Sequence, residues 1–133
     1  MTDAVLAGIH HVKFPVSDLA TSLAWYRRVF GFEVEAEFPD DDGVVRGVAG
    51  RVPGLGDIGL ALRENPDAAA GFAGFDPVCF GIADQAAAQA WATRLDELGV
   101  DHSPVMKASI GWIVRFHDPD GTEIRLYSFA THK

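Results

Sequence analysis

Near the start of this chain, His10 and His11 stand side by side in GIHHVKFPV, and Lys13 follows two positions after His11. An imidazole with a pKa of about 6.5 can take a proton, bind a metal ion or hydrogen-bond a ligand at neutral pH. Near the other end, Glu123, Arg125 and Tyr127 alternate in TEIRLYSF. A carboxylate, a guanidinium and a phenol spaced by two share one face of a strand. Further donors for a metal or a proton are His10, Asp76, His102 and His117. Cys79 is the single cysteine. With no Cys-His-Asp arrangement evident, it reads as small buried filler and not as a nucleophile. The glycines form neither a GxxxxGK[ST] loop nor a strand-linked GxGxxG, so a phosphate cradle is not expected.

These residues need elements to position them. Residues 8–16 are β-branched and aromatic-rich and read as a strand. Ser17 and Asp18 supply helix-capping oxygens, Leu19, Leu23, Tyr26 and Phe30 follow at helical spacing, and Gly31 ends the helix. Strands are expected at 32–38, 44–52 and 58–63, then a Gly-, Pro- and Ala-rich loop at 65–75. The second half repeats the order: a strand at 77–83, Asp84 as cap, and a helix carrying Ala87, Trp91, Leu95 and Leu98. Strands follow around 100–105, 110–117 and 122–129, the last two joined by Asp118-Pro119-Asp120-Gly121. Val16-Ser17-Asp18 matches Ile82-Ala83-Asp84, and Trp25 matches Trp91, at one 66-residue shift. The chain is thus expected to be α+β, two βαβββ modules at about 8–63 and 77–129 within one domain over 1–133. Trp112 is open to core or cleft.

At 133 residues, 48% apolar and 23% charged, the composition is that of an ordinary globular protein. A formal charge of −8 repels phosphate backbones, so nucleic acid is not an expected partner. A lone cysteine fits a reducing compartment. No basic segment followed by an apolar run opens the chain, and no apolar run approaches the roughly 20 residues that span a bilayer. A cytoplasmic protein without a membrane partner is expected.

The opening Gly8-Ile9-His10-His11-Val12-Lys13-Phe14-Pro15-Val16-Ser17-Asp18-Leu19, the Trp25-Tyr26 pair before Phe30-Gly31-Phe32, and the closing Phe116-His117-Asp118-Pro119-Asp120-Gly121 resemble the vicinal oxygen chelate superfamily. This group includes glyoxalase I, bleomycin-resistance proteins, fosfomycin-resistance transferases and extradiol dioxygenases. The resemblance implies sheets curled around a cleft, usually in a homodimer. It also implies three metal-ligand positions, which fall on His11, Pro77 and Arg125. Pro77 has no donor atom, and Arg125 places a permanent cation where the enzymes carry Glu. No cofactor is therefore expected; were a divalent metal present, His11 and Glu123 would hold it.

With His11 turned to such a cleft, alternation brings Lys13 to the same face, and Glu123, Arg125 and Tyr127 share a face of the last strand. The ligand site is expected at His11, Lys13, Arg125, Tyr127 and Glu123. These side chains suit an aromatic ligand with oxygen acceptors: a planar polyketide, a quinone or a carboxylate-bearing metabolite. The expected function is small-molecule binding, with sequestration of a metabolite or antibiotic. The alternative is an enzyme of the superfamily type, a metal-dependent lyase, isomerase or dioxygenase, or a metal-free catalyst with His11 as base.

Overall fold

Both long helices begin on an aspartate. In the computed structural model, which describes residues 3–132, the order is β1 (His11–Val16), α1 (Leu19–Phe30), β2 (Glu33–Pro39), β3 (Val45–Arg51), β4 (Gly59–Glu64), α2 (Pro66–Phe72), β5 (Cys79–Ile82), α3 (Gln85–Glu97), β6 (Met106–Lys107), β7 (Trp112–His117) and β8 (Glu123–Ser128). Asp18 accepts from the amides of Ala20 (3.1 Å) and Thr21 (3.4 Å), and Asp84 accepts from Ala87 (2.9 Å). Each cap satisfies amides that have no partner within the first turn, worth about 1 kcal/mol. Gly31 ends α1 at φ 70°, a left-handed conformation open to a residue without a Cβ.

The strands form two sheets, β1-β4-β3-β2 and β5-β8-β7-β6. In each, the first pair is parallel and the others antiparallel. The architecture is α+β, and the two βαβββ modules expected from the repeat are both present.

One apolar cluster joins them. Phe14, Val48, Leu60 and Leu62 come from the first sheet, and Val114, Phe116, Ile124 and Leu126 from the second, with Tyr26, Val29, Phe30 and Leu95 from the helices. The ring of Phe30 lies 5.6 Å from those of Phe80 and Trp91 and 6.0 Å from Phe116. Side chains of this size each gain roughly 1.5–3 kcal/mol on full burial. Because alternate residues of each strand enter this core, the others line an opposite face that turns away from it.

A buried polar bond also crosses between the modules. Tyr26 donates to Asp118 Oδ2 (2.9 Å), while Asp118 Oδ1 accepts from the amides of Asp120 (2.9 Å) and Thr122 (3.0 Å). Burial pushes the Tyr26 phenol well above its ordinary pKa and raises the Asp118 carboxyl as well.

Several boundaries differ from expectation. The loop expected at 65–75 contains α2, because Asn65 accepts from the Ala68 amide (3.1 Å), Pro66 opens the turn and Ala69 is buried. The strand expected at 100–105 is displaced to the two-residue β6. Pro104 has no amide to donate, and His102 makes only an isolated bridge to Phe116. The first strand begins at His11 and not at 8, since its partner begins at Gly59, whose amide bonds the His10 carbonyl (3.0 Å). Trp112 packs against the core, and Cys79 is exposed instead of buried.

Candidate functional site

The register of the first sheet arranges its outward face in rows. His11 stands opposite Gly59. Lys13 is opposite Ala61, which pairs with Ala49, which pairs with Ala36. Pro15 is opposite Arg63, followed by Gly47 and Phe38. Directly paired residues project to the same face, so the middle row is a flat strip of three alanines. Methyl groups cannot fill the curve of the sheet. The space left is a cleft of about 490 Å³, whose lining residues all fall between 10 and 63. That volume lies within the range of small-molecule sites.

The two ends of the cleft differ. At one end the Nδ1 atoms of His10 and His11 are 3.0 Å apart, and both residues are exposed. Among the described residues no carboxylate is bonded to His11, so the third group that orients a general base is not among them. Arg51 at this end is occupied, donating to Glu35 (3.1 Å) and to the Asp57 carbonyl (2.7 Å). Lys13 and Arg63 line the remainder of the cleft. Among the described residues, neither has an ion-pair partner.

On the second sheet the rows that correspond to the alanine strip carry larger side chains, and a smaller space of about 310 Å³ lies at the end of that face beside Arg115, His117 and Glu123. Its rows read Cys79–Arg125–Arg115 and Gly81–Tyr127–Ile113–Met106. Arg125 is bonded to Glu123 and lies 3.4 Å from Asp76, and the Glu123 bond holds its guanidinium above the usual pKa. Tyr127 Oη accepts from the Ile110 amide (3.2 Å), and the ring of Phe129 occupies the space over Gly81 where a side chain would stand.

Of the residues singled out in sequence, His11 and Lys13 therefore lie in the cleft, and Glu123, Arg125 and Tyr127 lie on the outward face of the other sheet. One chain does not bring the two sets into this cleft. Arg63 was not among the expected residues. Its signal was its alternation with Gly59 and Ala61 along β4, legible only once β4 is paired with β1.

The other candidate donors are dispersed. His102 is held by the Ser103 carbonyl (2.6 Å) and Asp96 (2.6 Å), bonds that raise its pKa above the ordinary 6.5. His117 is 3.9 Å from Glu123. Among the described residues no group of three or more His, Cys, Asp or Glu could hold a metal ion. The metal positions implied by the resemblance do not fit a divalent ion: Pro77 offers no donor, and Arg125 is a cation already bound to carboxylates.

A family model described as the Glyoxalase/Bleomycin resistance protein/Dioxygenase superfamily matches residues 8–126. Among solved structures, TnmS3, an antibiotic binding protein from Streptomyces sp. CB03234, is 25% identical. The match covers 95% of this chain and 98% of that one, at a TM-score of 0.76. Lactoylglutathione lyase from Agrobacterium tumefaciens is 23% identical over 93% and 95% of the two chains, TM-score 0.71. The fosfomycin resistance protein FosX from Listeria monocytogenes, complexed with Mn(II) and sulfate, is 17% identical over 96% and 94%, TM-score 0.71. No curated protein matches the sequence. Among the described residues no helix is long and apolar enough to cross a membrane.

Proposed function

This chain belongs to the glyoxalase/bleomycin resistance protein/dioxygenase superfamily, and we propose that within it the chain binds a planar, oxygenated small molecule, an aromatic metabolite or antibiotic, without a metal. The observation that carries this reading is the alanine-floored cleft of about 490 Å³, with Lys13 and Arg63 on its wall and without an ion-pair partner among the described residues. An apolar floor with a few polar groups at its ends binds a flat ring by burial and orients it by hydrogen bonds. The likeness to a protein named for antibiotic binding supports the ligand class. Sequestration is then the biological role.

The reading includes a homodimer. Each module turns one face into the shared core and the other away, so the cleft has a floor and no roof. A second copy could bring its Arg125 and Tyr127 over the His11 and Lys13 of the first, and the twofold relation would cover both clefts at once. The expected ligand site would then be assembled from two chains.

Isothermal titration of protein dialysed against EDTA, with 1-naphthoate, anthraquinone-2-carboxylate and a tetracyclic polyketide, tests the function. At least one should bind, with Ala49→Trp abolishing the heat by filling the floor. Absence of binding by all three, or binding only after Mn(II) is restored, would overturn the reading. Light scattering should give twice the chain mass of 14.3 kDa; a monomer would remove the shared site.

A further inference from the structure

We propose that the Lys13–Arg63 side of the cleft is an oxyanion subsite, so that the ligand carries a carboxylate, sulfonate or phosphate there and lays its flat body over the alanine strip. This rests on the cleft being a binding site and specifies what it selects.

The first observation is the posture of Arg63. A Cβ built on Gly47 would lie 3.2 Å from Arg63 Nη1 and 3.3 Å from its Cδ. The Arg63 side chain therefore extends across the sheet over Gly47, using the space a side chain would take. Gly47 is thus the reason Arg63 lies along the cleft wall. Phe38, 48% exposed, continues the same row.

The second observation is the fate of nearby charge. Lys13 stands one row away from Arg63 on the adjacent parallel strand. Of the carboxylates near the cleft, Asp57 lines it at the Arg51 end and has no ion pair among the described residues, while three others are committed to other cations. Asp40 and Glu64 both pair with Arg46, and Glu64 also accepts the Leu19 amide (2.9 Å). Glu35, within the cleft, is bonded to Arg51. Lys13 and Arg63 thus both line the cleft with no ion-pair partner among the described residues, in a chain of formal charge −8. The guanidinium fork can bind one oxyanion through two bonds, and Lys13 adds a second positive charge to the same cleft. The apolar floor beside them excludes part of the water that would otherwise screen the contact.

Titration with 1-naphthoate and its uncharged isostere 1-naphthamide tests the subsite. Naphthoate should bind at least about tenfold tighter, the effect expected of a hydrogen bond to a charged group. Arg63→Gln and Lys13→Gln should each weaken naphthoate about tenfold and leave naphthamide within about twofold. Arg63→Lys should restore part of the loss. Arg27→Gln, on the exposed side of α1, should change neither. Equal affinity for the two probes in the wild type, or naphthoate binding insensitive to Arg63→Gln, would overturn the subsite alone. Failure of both probes while the polyketide binds would overturn the subsite, and failure of every probe would remove the binding reading with it.

Discussion

The two sheets share a strand order and a hydrogen-bond pattern, yet they present opposite surfaces. Val16 pairs with Glu64 in the first, and Ile82, its counterpart one repeat later, pairs with Ser128 in the second. By that register Lys13–Ala61 corresponds to Cys79–Arg125, and Pro15–Arg63 to Gly81–Tyr127. The first sheet places small residues along its middle row and leaves a cleft. In the second, Arg125, Tyr127, Ile113 and Met106 fill the same rows, and Phe129 covers Gly81. Backbone topology therefore does not make a binding site in this fold; side-chain volume on one face does.

Cations at corresponding positions differ as well. Arg125, which stands where the first sheet has Ala61, pairs with Glu123 and Asp76, whereas Arg63, Lys13 and, on the second face, Arg115 have no ion-pair partner among the described residues. A guanidinium already paired has little left to offer a ligand, because a new anion must compete with bonds in place.

The contrast depends on the modules staying joined, so the largest expected effect is at their buried bond. Asp118→Ala should remove the acceptor for Tyr26 and for two backbone amides, costing about 3 kcal/mol in urea denaturation. A loss below about 1 kcal/mol would mean that apolar packing alone unites the modules.

Next in size is the conversion of one face toward the other. Ala61→Phe puts bulk where the second module has Arg125, and should cut naphthoate affinity about tenfold or more while leaving stability within about 1 kcal/mol. Unchanged affinity would show that the alanine strip is not the floor of the site.

Clearing the second face should matter less. Arg125→Ala is expected to weaken ligand binding about two- to threefold, less than Lys13→Gln, because its charge is shared with Glu123 and Asp76. A loss matching that of Arg63→Gln would show that the two faces contribute alike, as a shared dimeric site could require.

The smallest effect is pH-dependent. The Leu19 amide and, after it, Arg46 hold the Glu64 carboxyl below its ordinary 4.5. A depressed folded pKa gives stability that is present above 4.5 and lost as pH falls through the folded value. Glu64→Gln should thus be less stable than wild type by about 1 kcal/mol or less at pH 7, with the two curves converging in acid. A gap that persists at pH 2 would assign the effect to shape and not to charge.

Much was legible before any folding was considered. Asp18 and Asp84 announce helix starts, the 66-residue shift announces a repeat, and the Phe14–Val16 and Ile124–Leu126 alternation announces core faces. All of these are set by neighbours within a few residues, through capping, helical period and strand period. The missed α2 belongs to this class too, for Asn65-Pro66 is a capping signal that the surrounding glycines and alanines obscured.

The site itself was only half legible. Strand period placed His11 with Lys13, and Arg125 with Tyr127, each pair on one face. Which pairs share a cleft depends on which strands lie side by side and in what register. That is a matter between residues about fifty positions apart, such as Pro15 with Arg63, and no local pattern encodes it. Ala36, Ala49 and Ala61 are unremarkable in sequence; the fold aligns them into a floor, removes the volume a core would fill, and leaves room for Arg63 beside Lys13. Sequence alone set the elements and their buried faces, because those follow from short-range sterics and hydrogen bonding. Tertiary pairing decided where the empty space and the unpaired charge would lie, because both are sums over strands that meet only in the folded sheet.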